Sequence, residues 1–104
     1  MTEQAEIRRV HVWVQGRVQA VGFRAFVQQN AAQIGVTGWV RNVGYDTVEG
    51  VAEGSKEQIE EFLQMVKRGP LGSRVDESRE EWEQVTGEFE AFRVKASRYL
   101  IHLK

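Results

Sequence analysis

The order in which hydrophobic periodicity changes along the chain leaves few folds open. Val10, Val12 and Val14 alternate with Arg9, His11 and Trp13, the two-residue period of a strand with one buried face. From Gly22 onward Phe23, Val27, Ala31 and Ile34, with Phe26 beside them, recur at helical spacing, and Gly35 stands where a left-handed C-cap would stop a helix. Residues 36–42 predict a second strand, 43–46 a turn, and 47–53 the returning strand, broken at Gly54 and Ser55. Ser55 with Gln58 reads as a capping box, and Ile59, Phe62, Leu63 and Val66 mark one face of a second helix that Gly69 and Pro70 end. Residues 71–82 are charge-rich, and their latter part predicts a strand with one solvated face. After a turn near Thr86 and Gly87, residues 88–95 alternate again, and 99–103 suggest a short extra strand.

The resulting order, β-α-β-β-α-β plus a tail, predicts two helices on one face of an antiparallel sheet: a ferredoxin-like α/β sandwich. A length of 104 residues predicts one domain over 1–104, with 1–6 a frayed lead-in and 97–104 a tail. A chain of this size buries about two thirds of its unfolded surface, enough for a core without staples.

Composition narrows the chemistry. Fourteen Lys and Arg against fifteen Asp and Glu leave a net charge of -1, so nothing draws the whole chain to nucleic acid or to an anionic membrane. The absence of cysteine excludes thiol nucleophiles, disulfides and cysteine-ligated metals. A polar, acidic start is unlike a signal peptide, and no apolar run approaches the roughly 20 residues a membrane helix needs, which predicts the cytoplasm. His11 and His102 are the only histidines and show no metal-ligand spacing. His11 reads as a surface or packed structural side chain, and Glu57, Glu60, Glu61, Glu77, Glu80, Glu81 and Glu83 as wet faces. Trp13, Trp39 and Trp82, with Phe62 and Phe92, read as core.

One stretch stands out against this background. Residues 16–24, Gly-Arg-Val-Gln-Ala-Val-Gly-Phe-Arg, lie where a strand ends and a helix begins. Such a corner turns several backbone N–H groups and the positive end of the helix dipole toward one spot. Arg24, about 100° round the helix from Phe23, can bring a planar fork of donors to the same spot. The motif lacks the lysine and hydroxyl of a Walker A loop, and it begins a helix, unlike an RNP strand. It reads as an anion cradle, although the two glycines would equally serve a plain tight corner.

Two blocks carry a family resemblance. Gly16-x-Val18-Gln19-x-Val21-Gly22-Phe23-Arg24 closely resembles the first signature of the acylphosphatase family. Gly38-Trp39-Val40-Arg41-Asn42, continued by Val48 and Gly54, resembles its second, and spacing and element order agree over residues 7–96. The resemblance implies hydrolysis of acyl phosphates to a carboxylate and phosphate. Carried over by position, it implies a phosphate-binding cradle at Gln19, Ala20, Val21, Gly22 and Phe23, with Arg24 and Asn42 catalytic. Arg24 would hold the phosphoryl group and Asn42 orient the attacking water. No metal or cofactor is implied. The expected partner is a small-molecule acyl phosphate, with inorganic phosphate as product and competitive inhibitor, acting on a cytoplasmic monomer without nucleic acid or membrane. Two positions depart from the pattern: Ala20, where the family usually has glycine, and Asp46, where glycine usually follows the asparagine by four residues while here Gly44 comes earlier. A non-catalytic binding module for an anionic small molecule or RNA is the rival reading, and a domain acting on carbamoyl phosphate a third.

Overall fold

The structure, a computed structural model, describes residues 6–99. Residues 1–5 of the expected lead-in and residues 100–104 of the tail, His102 included, lie outside the described residues. The elements are β1 (Ile7–Arg17), α1 (Phe23–Ile34), β2 (Thr37–Val43), β3 (Thr47–Ser55), α2 (Lys56–Arg68), β4 (Arg74–Glu83) and β5 (Phe92–Val94). They form one five-stranded sheet in the order β4-β1-β3-β2-β5. Among the first four strands every pairing is antiparallel, so β1-α1-β2 and β3-α2-β4 are two interleaved split βαβ units. This is the expected ferredoxin-like sandwich. A fifth strand, parallel to β2, makes the sheet mixed.

The core lies between helices and sheet. Val10, Val12 and Val14 of β1, with Val40, Val48 and Ala52, form its floor; Phe23, Val27 and Ala31 of α1 and Ile59, Phe62, Leu63 and Val66 of α2 cover it. Gly35 caps α1 at φ 98, and Ser55 and Gln58 exchange both capping-box hydrogen bonds at the start of α2. No described helix is long and apolar enough to cross a membrane.

Three boundaries differ from expectation. β1 runs past Gly16 to Arg17, because a register shift after Gln15 lets Gly16 and Arg17 pair with Val75 and Arg74 of β4. Gly16 sits at φ 142, and any Cβ there would strike the carbonyl oxygen of Arg74. β3 continues through Gly54 to Ser55, paired with Arg8 and Ile7. β5 is only three residues long, because the chain before it is held elsewhere. β4 and β5 occupy opposite edges of the sheet, so residues 84–91 cross its open face, the one without helices. The Glu53 carboxylate fastens this crossing by accepting from Thr86 N at 3.0 Å, Gly87 N at 3.1 Å and Arg9 Nη1 at 3.1 Å.

The tryptophans do not join the core. Phe62 and Phe92 do, but Trp82 is 56% exposed. Trp13 and Trp39 lie on the open face, as their alternation with core valines in β1 and β2 dictates. There Trp13 stacks on His11 at 3.9 Å between centroids and carries the Arg79 guanidinium at 4.2 Å. Over the Trp39 ring lie the Arg41 guanidinium at 4.8 Å and Lys95 Nζ at 4.4 Å from its centroid. His11 has the structural role expected of it: its ring nitrogens lie 2.8 Å from Glu83 and 2.6 Å from Glu49.

Candidate active site

The stretch between β1 and α1 is held at both ends by burial. Val18 and Phe23 are both buried in the core, while the residues between them bend without an internal turn hydrogen bond. Gln19 ties the loop sideways to the β2–β3 turn: its Nε2 donates to Thr47 O at 2.9 Å and lies 3.3 Å and 3.4 Å from Gly44 O and Val43 O. Ala20, at φ 63, is the only described non-glycine residue with positive φ. Gly22, at φ 72, is the N-cap of α1 and offers no side chain to the first-turn N–H groups. Among the described residues, the N–H groups from Gln19 to Arg24 donate to no protein acceptor. Those donors and the helix dipole leave local positive potential that only an outside anion or water can satisfy.

These groups open onto a cleft of about 310 Å³. Gln19, Ala20, Gly22, Phe23, Arg24 and Asn42 all line it, so one concavity collects six of the seven residues singled out from the sequence. Val21 is the exception: its side chain packs against the core. Arg24 is the one charged residue in the lining, and it has no carboxylate partner among the described residues. Its Nη1 donates to Ser97 Oγ at 3.3 Å. Asn42 comes from the end of β2, on the same face as Val40, and is only 9% exposed. Its carboxamide meets no protein hydrogen-bond partner among the described residues and is open to the cleft.

Ala20 does take up the left-handed backbone for which glycine is favoured. At the second departure, the positive φ of the β2–β3 turn falls on Gly44, at φ 61, and not on Asp46. Asp46 instead braces the turn, its carbonyl accepting from Gly16 N at 3.0 Å and its carboxylate from Gln15 Nε2 at 2.7 Å. Sequence reading missed Gln28 and Val94 in the lining and Ser97 on Arg24. Gln28 was findable, lying one helical turn after Arg24; Ser97 depends on a strand register that no local pattern gives.

The profile described as Acylphosphatase matches residues 10–94. The chain belongs to the acylphosphatase family. The acylphosphatase of Syntrophotalea carbinolica is 48% identical over 87 residues, covering 84% of this chain and 95% of the relative. That of Pelotomaculum thermopropionicum is 43% identical over 86 residues, covering 83% and 94%. In three dimensions, an acylphosphatase from Coxiella burnetii superposes with a TM-score of 0.82 at 32% identity, over 90% of this chain and 100% of its own. The chain is thus an acylphosphatase, an enzyme of acyl-phosphate hydrolysis, and both of its unusual positions lie within the matched span.

Proposed function

We propose that the cleft is where this acylphosphatase works, and that Arg24 and Asn42 divide the task. The phosphoryl group sits against the N–H groups of Gln19 to Phe23, with the Arg24 fork on its oxygens. Asn42 holds a water in line with the bond to be broken. The water oxygen attacks phosphorus, the bond from phosphorus to the acyl oxygen breaks, and the carboxylate leaves with that electron pair. The water protons remain on the phosphate product. A carboxylate of pKa about 4 leaves without help from a general acid. What remains is positioning and stabilisation of charge on the equatorial oxygens. An amide that both donates and accepts suits a neutral water.

The observation that carries this reading is the convergence of unpartnered donors, an arginine without a carboxylate, and a carboxamide open to the same cleft. Among the described residues no carboxylate or imidazole lines it, and the reaction we propose is metal-independent. We further infer a monomer, with inorganic phosphate as product and competitive inhibitor at the cradle. The natural setting we infer is the cytoplasm.

Hydrolysis of benzoyl phosphate with EDTA present separates this enzyme from a mere binding module. Arg24→Ala is expected to lose both turnover and phosphate binding, and Arg24→Lys to restore little for want of the fork. Asn42→Ala is expected to keep phosphate binding while losing on the order of 10²–10³ in rate. Full turnover in Asn42→Ala removes it from the mechanism.

A further inference from the structure

The chain after β5 follows β2 but falls out of step with it. Phe92, Arg93 and Val94 pair with Gly38, Trp39 and Val40, whereas Arg98 pairs with Val43. Between those pairings the tail spends one residue more than β2. Backbone hydrogen bonds secure both sides of the slip: Lys95 N donates to Val40 O, Arg98 N to Asn42 O and Gly44 N to Arg98 O, each at 2.8 Å. An extra residue in one strand reverses the face taken by the side chains that follow. Before the slip, Phe92 faces the core and Lys95 covers Trp39 on the open face. Unbroken alternation would put Ser97 on the side of Lys95. The slip turns it to the helix side, where its Oγ accepts from Arg24 Nη1 at 3.3 Å.

We infer that Ser97 is a positioning residue for Arg24, delivered to it by the one-residue bulge after β5. The inference rests on the reading that Arg24 holds the phosphoryl group. A long arginine side chain loses much rotamer freedom when it is aimed. A neutral hydroxyl restrains one arm of the guanidinium while leaving its full charge for the substrate. A carboxylate in the same place would compete with the phosphoryl oxygens, so the chemistry calls for serine or threonine. Ser97 touches Arg24, not the reacting atoms.

The probe is inorganic phosphate, read as Ki against benzoyl phosphate hydrolysis by the full chain. Ser97→Ala is expected to raise both Ki and KM about 3- to 10-fold, the range for one lost ordinary hydrogen bond, as suits a long 3.3 Å contact, with an unchanged thermal midpoint. Ser97→Thr should return both to within about 2-fold, while Ser97→Asp should weaken phosphate binding further than alanine does, by pairing with Arg24. In an Arg24→Lys background, where the fork is gone, Ser97→Ala should have almost no further effect. An unchanged Ki in Ser97→Ala overturns the inference, as does a lowered thermal midpoint without a change in Ki, an equal loss in Ser97→Thr, or an undiminished effect in the lysine background. If Arg24→Ala loses phosphate binding while Ser97→Ala keeps it, only this inference fails. If Arg24→Ala binds phosphate normally, the underlying reading of the cleft fails.

Discussion

At φ 63, Ala20 holds the left-handed backbone that the loop between β1 and α1 needs, and it does so with a Cβ. That conformation costs a non-glycine residue about 1–2 kcal/mol. Glycine would remove most of this strain but forfeit part of the gain in unfolded-state entropy, leaving a net stabilisation of about 0.5–1 kcal/mol for Ala20→Gly. In a domain of this size such a gain raises the thermal midpoint by about 2–8 °C. The N–H of residue 20 stays where it is, so phosphate inhibition should be unchanged. A fall in thermal midpoint would show that the alanine methyl has a packing role that outweighs the strain. Why the loop retains alanine is not explained by any contact in the structure. At this scale the sequence was highly informative: Arg24, Asn42 and Gly22 all reach the cleft, while Gly16 pairs with β4 instead, and two residues fixed in the core, Val18 and Phe23, leave the short span between them little freedom.

Among the elements, the least legible was the segment between β4 and β5. Its alternation suggested a longer strand over 88–95, yet residues 84–91 are held as a crossing over the open face by a carboxylate from the middle of the sheet. Local patterning cannot foresee this, since Glu53 lies more than thirty residues from Thr86. Glu53 is 5% exposed. Replacing it by alanine leaves two backbone N–H groups without their acceptor, while Arg9 keeps Glu83 at 2.9 Å and Glu88 at 3.0 Å. Glu53→Ala should therefore cost about 2 kcal/mol, read from urea unfolding, and open residues 84–91 to limited proteolysis. Hydrolysis should persist, because the cleft lies on the opposite side of the sheet. The helices, by contrast, were readable nearly to the residue: glycine after α1 and the Ser55–Gln58 box before α2 are local signals that depend on nothing distant.

Across the whole molecule, the two faces of the sheet have separate acid–base character. Three carboxyls held low by their neighbours, Glu49, Glu53 and Glu83, gather on the open face. Burial alone would push the Glu49 and Glu53 carboxyls up, but hydrogen bonds from Arg41 and His11 to the first, and from Thr86, Arg9 and Gly87 to the second, hold both below the ordinary glutamate range. The Glu83 carboxyl is lowered chiefly by its hydrogen bond with His11 and also by Arg9. A carboxyl whose folded pKa is depressed stabilises the fold above its unfolded value and loses that contribution as pH falls through the folded one. Urea midpoints are therefore expected to hold near neutrality and to drop below about pH 4.3, the unfolded glutamate value. Glu53→Ala should flatten that drop, and an equally steep one in the variant would assign it to other groups. The cleft face has no such lining, so kcat/KM should stay nearly flat from about pH 5 to 8. A bell within that range would bring a titrating group into the mechanism. The layered architecture was legible from periodicity; the ion-pair lattice on its open side was not, because it joins side chains from strands far apart in sequence.

The slipped pairing of the tail on β2 also has a bearing on biosynthesis. The cradle residues and Asn42 emerge from the ribosome by residue 42, yet the hydroxyl on Arg24 arrives only with residue 97. The interior strand β1 must likewise wait for β4 before both of its edges are paired. A nascent chain halted before residue 97 would present the loop and the arginine without the hold that aims it, so full grip on phosphate waits for a hydroxyl more than seventy residues beyond the loop.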